Sequence, residues 1–197
     1  RFTDVSAQAG IFGSEIGFGL GVSVADLNGD AWPDLYVSND FFERDYCYLN
    51  NRNGTFREVL TSQVGHLSLN SMGADVADLN NDSRPDVFTT DMLPDYNERK
   101  KALLRANNSA HYTFTKQYGY EYQHIRNSLQ LNQGLDPVTG LPRFSEISLL
   151  AGVSETDWSW CPLWLDADND GHRDLFVTNG FPKDITDQDF LAFRNDM

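Results

Sequence analysis

The sequence predicts an all-β fold, a β-propeller of four-stranded antiparallel blades with about three blades visible and a partly helical insert. Three observations predict it: an acidic segment that occurs three times, a phenylalanine segment ahead of each copy, and a short apolar segment between the two.

The first acidic copy runs Gly21-Val-Ser-Val-Ala, then Asp26-Leu-Asn28-Gly-Asp30-Ala-Trp32-Pro-Asp34, then Leu-Tyr-Val-Ser-Asn39. The second runs Gly73-Ala-Asp-Val-Ala, Asp78-Leu-Asn80-Asn-Asp82-Ser-Arg84-Pro-Asp86, Val-Phe-Thr-Thr-Asp91. The third runs Pro162-Leu-Trp-Leu165, Asp166-Ala-Asp168-Asn-Asp170-Gly-His172-Arg-Asp174, Leu-Phe-Val-Thr-Asn179. Apolar residues alternate or run on either side of each loop, the pattern of a strand, a turn and a second strand.

The phenylalanine element, Phe2-Thr-Asp-Val5, Phe56-Arg-Glu-Val59 and Phe144-Ser-Glu-Ile147, precedes the first loop aspartate by 24, 22 and 22 residues. Tyr48-Leu49-Asn50-Asn51 and Leu129-Gln130-Leu131-Asn132 supply the strand between. Four short strands per repeat, separated by Asn, Asp and Gly turns, make a blade. One strand at the start, four in each of two blades and two around the last loop make residues 1–197 a partial propeller. The second repeat is 36 residues longer than the first, 88 against 52 between loop aspartates, which places an insert at residues 92–126. Pro94-Asp95 starts a predicted helix over Tyr96 to Arg105, with Arg99, Lys100, Lys101 and Arg105 as a basic face. The remainder to His124 has no clear period.

Fifteen lysines and arginines against 29 acidic residues leave a net charge of −14, which repels phosphate backbones and excludes nucleic acid as a partner. Aspartate outnumbers glutamate 22 to 7, the bias of turns and metal loops rather than of charged helix faces. No apolar run reaches the ~20 residues of a transmembrane helix, so no membrane span is predicted. Cys47 and Cys161 lack the spacing of a zinc or redox pair and are expected as buried small hydrophobes.

Each loop sets oxygen-bearing side chains at positions 1, 3, 5 and 9: Asp26, Asn28, Asp30 and Asp34; Asp78, Asn80, Asp82 and Asp86; Asp166, Asp168, Asp170 and Asp174. The main-chain carbonyl of Trp32, Arg84 or His172 at position 7 would complete a hard-oxygen cage suited to calcium, so three Ca²⁺ sites are predicted. Composition alone would give roughly 0.05 such loops. Ten carboxylates converge in these loops, and three divalent ions would bring the charge of −14 to −8. Val37, Thr89 and Val177 stand at position 12, where an EF-hand needs glutamate, so none of the loops is expected to be one. Loose cation sites of this kind work at the calcium levels found outside cells, so an extracellular or cell-surface location is expected.

These repeats resemble the FG-GAP and VCBS repeats that build the integrin α-subunit propeller, through Gly21 to Val37 and through Leu49-Asn-Asn with Gly54-Thr-Phe56. Asp91-Met-Leu-Pro94 and Thr156-Asp-Trp-Ser-Trp160 are similar to exported bacterial VCBS-repeat proteins, which implies an outer-membrane association if the source is bacterial. Ala31 and Ser83 depart from the family's glycine at position 6; a positive φ there would strain both loops.

In a blade the acidic turns share one face, and the other links emerge on the opposite face. That face collects Phe41 to Tyr46, the insert, Phe181-Pro-Lys-Asp184 and Trp158-Ser-Trp160. The resemblance implies that it binds ligand, so a protein or glycan partner, within a larger cell-surface complex, is expected there. No catalytic residue is assigned. The alternatives are a polysaccharide lyase using Lys100, Arg105, His111, Tyr118 or His124, and a purely structural spacer.

Overall fold

A computed structural model describes residues 1–103, 109–180 and 187–195, without the side chains of residues 103 and 109–111. Arg105, the side chain of His111 and residues 181–184 therefore lie outside the described residues.

The period-two patterns become strands as predicted. A first sheet is ordered β1 (Gly19–Ala25), β2 (Asp34–Asn39), β3 (Tyr46–Asn50), β4 (Phe56–Glu58), every neighbour antiparallel. A two-stranded parallel ribbon joins β5 (Leu67–Ser68) to β8 (Gln123–His124). The second sheet is ordered β6 (Gly73–Ala77), β7 (Asp86–Thr90), β9 (Ser128–Leu135), β10 (Pro142–Glu146). A third, two-stranded sheet pairs β11 (Ser159–Leu165) with β12 (Asp174–Asn179). Two complete four-stranded blades and the inner half of another give a propeller-like all-β architecture; the described residues do not close into a ring.

Alternation decides which sheet each side chain serves. On β7, Val87 joins the core between the first and second sheets, with Leu27, Tyr36, Leu49, Leu60, Leu67 and Phe144. The next residue, Phe88, turns to the third sheet, where its ring meets Trp164 edge-on at 5.9 Å beside Leu129. Ser23 Oγ on β1 donates to the Ala74 carbonyl, and Trp164 N–H donates to Asp75, so the inner strands of successive sheets stack side by side. A Cβ on Gly73 would lie 2.5 Å from the Trp160 carbonyl oxygen, which is why that strand begins with glycine.

Three expectations need correction or extension. Residues 1–5 form no strand: Phe2 is fully exposed, because among the described residues no third strand lies beside it as β3 lies beside β4 and β9 beside β10. The turn that follows is nevertheless formed, with α1 (Ser6–Ala9) ending on Gly10 at φ 73° as α4 (Ser148–Ala151) ends on Gly152 at φ 71°. The insert holds α2 (Asn97–Leu103) inside the predicted helix, and also a second helix, α3 (Ser109–Gln117), which the sequence did not announce. Cys47 is buried as expected, whereas Cys161 is exposed on the outer side of β11. The last described helix is α5 (Gln188–Asn195).

Candidate metal centre

Strands, not helices, flank all three acidic loops, which connect β1 to β2, β6 to β7 and β11 to β12. Each loop is folded by its own side chains in the same way. The position-1 carboxylate receives two main-chain N–H groups: Asp26 from Asp30 and Ala31, Asp78 from Asp82 and Ser83, and Asp166 from Asp170 and Gly171, all between 2.7 and 3.0 Å. Position 3 accepts the position-5 N–H, through Asn28, Asn80 or Asp168. Position 5 accepts the position-7 N–H, from Trp32 to Asp30, Arg84 to Asp82 and His172 to Asp170.

This wrapping needs left-handed backbone at two places. Position 6 takes it at Ala31 (φ 68°), Ser83 (φ 66°) and Gly171 (φ 87°), so the two non-glycine residues are strained as the sequence implied. Position 4 takes it too, at Gly29, Asn81 and Asn169. Sequence reasoning missed that second requirement, although Gly or Asn at all three places was its signal.

Position 9 ties the loop to the sheet. Asp34 accepts N–H groups from Leu27 at 2.9 Å and from Asn50 at 2.8 Å; Asp86 accepts them from Leu79 at 3.0 Å and Asn132 at 2.8 Å. Both carboxylates are fully buried. Desolvation, reinforced by the other two carboxylates of each loop, pushes Asp34 and Asp86 above the usual range. Asp174 accepts only from Ala167 among the described residues and is exposed, since no third strand flanks β12 there.

The loops differ in their counter-charges. Arg52, on the β3–β4 turn, reaches Asp30 at 2.9 Å, and Arg84 reaches Asp82 at 2.5 Å. Desolvation is the largest single influence and pushes upward, yet the guanidinium hydrogen bonds, together with those from the position-7 N–H and the loop asparagine, hold Asp30 and Asp82 below the usual range. In the third loop, Asp166, Asp168 and Asp174 bring carboxylate oxygens within 4.8 Å of one another. Asn81 of the second loop donates to the Gly171 carbonyl at 3.2 Å and lies 3.2 Å from His172 Nδ1, so loops two and three touch. An all-oxygen donor set with three converging carboxylates fits a hard divalent cation.

The opposite ends of the strands are held by buried polar residues whose structural role the sequence reading did not anticipate. Asp45, just before β3, accepts from Asn39 N–H, Tyr36 OH and Ser71 Oγ. Burial raises it to about 6 despite these donors. Its counterpart before β9 is Asn127, which accepts from Asp91 N–H and donates to Val153 and Thr156. Asp91 in turn accepts from Ser68 Oγ and from the N–H groups of Leu69 and Asn70. The basic face of α2 is partly spent: Arg99 pairs with Asp157 at 2.7 Å and Lys100 with Glu155 at 2.6 Å. His124 stacks on Tyr112, and Tyr118 is exposed.

Residues 26–89, from the first loop aspartate to the strand after the second loop, match the model of the FG-GAP-like repeat. The chain carries an FG-GAP-like repeat. Human integrin alpha-7 is 38% identical to it over 82 residues, which cover 36% of this chain and 7% of that protein. The matched segment is thus a small part of that relative and about a third of this chain. The third loop lies outside the FG-GAP match, yet it repeats the hydrogen bonds of the first two.

Proposed function

We propose that the chain is a calcium-stabilised, non-catalytic binding module that works outside the cell and presents a ligand surface on the face away from its acidic loops. The observation that carries the reading is the third loop, where three carboxylates converge within 4.8 Å on a turn with no charge partner among the described residues. Such convergence is unfavourable unless a cation neutralises it. Asp26, Asn28, Asp30 and Asp34 with the Trp32 carbonyl would hold one ion. Asp78, Asn80, Asp82 and Asp86 with the Arg84 carbonyl would hold a second, and Asp166, Asp168, Asp170 and Asp174 with the His172 carbonyl a third. The ion supplies positive charge to each turn, while the position-9 aspartate passes that order to the main chain of the same sheet. The match to an integrin segment and the calcium levels outside cells support an extracellular site of action. Among the described residues no helix is long and apolar enough to cross a membrane.

The ligand surface comprises the β2–β3 link, with Phe41 and Phe42 about half exposed, and the insert, with Tyr96 and Tyr118 about two-thirds exposed. Phe41 holds φ 66°, a conformation that costs a bulky side chain energy and that persists where a site needs it. A protein or surface glycan is the partner, and exposed aromatics suit both. The lyase reading is weaker, because Lys100 is already held by Glu155. Thermal melting in about 1 mM calcium and in excess chelator tests the module: a melting temperature several degrees higher with calcium is expected, and coincident curves would contradict it. Capture of surface protein or glycan by the chain should fall in Phe41→Ala/Phe42→Ala with the melting temperature kept; undiminished capture would move the ligand elsewhere.

A further inference from the structure

The three loops share one backbone design but not one charge balance. Over loop one the guanidinium of Arg52 comes from the turn after β3. In the second sheet the position corresponding to Arg52 is Gly134, which also has positive φ, and the side chain lying against it is Arg84, with its guanidinium nitrogen 3.5 Å from where a Gly134 Cβ would stand. The same place over each of the first two loops is therefore filled by an arginine drawn from a different part of the chain. In both cases the position-5 carboxylate is fully engaged: one oxygen accepts the position-7 N–H, and the other accepts the arginine and the amide of Asn28 or Asn80. Loop three has aspartate in place of that asparagine, four carboxylates instead of three, and among the described residues no ion pair with any arginine.

We propose that Arg52 and Arg84 are built-in counter-ions that keep the first two loops folded without metal and weaken their hold on a cation, leaving the third loop as the tightest and most metal-dependent site. The inference rests on the cation reading above and deepens it by ranking the sites. A guanidinium competes with a divalent ion for the position-5 oxygen and repels it as a like charge. Counting each arginine that pairs with a loop carboxylate, loops one and two carry a net −2 without metal; loop three has four carboxylates, and its own Arg173 makes no ion pair with them among the described residues. Loop three gains most from an ion. Contact through Asn81 makes the order of loop three felt by loop two.

A calcium titration of the whole chain, followed by the amide resonances of Ala31, Ser83 and Gly171, reads the loops separately. In the wild type the Gly171 signal should reach its midpoint at the lowest calcium. Arg52→Gln should move the Ala31 midpoint to roughly three- to tenfold lower calcium, the size expected for removing one exposed, screened charge near a divalent ion. Arg84→Gln should do the same for Ser83, and Arg52→Lys, which keeps the charge, should move Ala31 far less. In chelator both glutamine variants should melt below the wild type. Midpoints that stay put or rise on losing the arginine would overturn the proposal while leaving cation binding intact, since they would make the arginines orienting partners of the ligands. A wild-type chain in which no reporter titrates would instead remove the cation reading itself.

Discussion

Burial and three donors pull Asp45 in opposite directions, and burial wins, leaving its carboxyl near 6 against the usual 3.8. A carboxyl raised on folding contributes stability that is complete below about pH 4 and lost as pH climbs through about 6. Asp45→Asn should therefore flatten the fall in denaturation midpoint between pH 4 and 6, and the chain already uses asparagine at the matching place, Asn127. An unchanged slope would show that Asp45 is not the group responsible. Backbone strain gives a second test at this scale. Ala31→Gly and Ser83→Gly should each add about 1 kcal/mol, and Gly171→Ala should subtract about as much, read by denaturant unfolding in calcium. The family resemblance announced position 6, because Ala31 and Ser83 depart from the glycine it implies there. The sequence gave no sign of the buried roles of Asp45, Asp91 and Asn127, because a lone buried polar residue has no period and these partners lie 6 to 36 residues away.

Hairpins were legible wherever alternation and a turn coincided, so β1–β2, β6–β7 and β11–β12 stand where the repeats put them. Pairing with a distant segment was not legible: β5 and β8 are two residues each and meet in parallel across the insert, and α3 is a polar stretch without an apolar stripe. Glu146 at the end of β10 binds the N–H groups of Leu129 and Ser148 and pairs with His66 at 2.9 Å. Desolvation opposes ionisation there, yet the His66 and Ser148 hydrogen bonds prevail and bring the carboxyl down to about 2. Its contribution is present above the usual 4.5 and disappears as pH falls from there toward 2. Glu146→Gln should blunt acid unfolding in that window. Between sheets, Gly73→Ala must move the Trp160 carbonyl or its own strand and should cost roughly 1–3 kcal/mol; a neutral effect would mean that the second and third sheets slide freely.

The stacked sheets leave apolar flanks uncovered at both ends. On the outer side of β1, Leu20, Val22 and Val24 are 42 to 63% exposed, and on the third sheet the paired Leu163 and Phe176 are 49 and 57% exposed. Flanks of this size associate, so residues 1–197 alone should self-associate with rising concentration in sedimentation, and Val22→Lys with Leu163→Lys should suppress it. Blade architecture could be read from the repeat alone, since the repeat is the unit of packing. The charge pattern along the loops likewise anticipated the geometry in which Asp166, Asp168 and Asp174 converge. What binds the opposite face could not be read in this way, because an insert without a repeat has no internal standard of comparison. The account depends most on the loops being cation sites. An anomalous difference map of crystals grown in millimolar calcium measures this directly. A peak inside each loop, strongest between Asp166, Asp168 and Asp174, is the predicted result, and ordered but empty loops in that map would contradict the account.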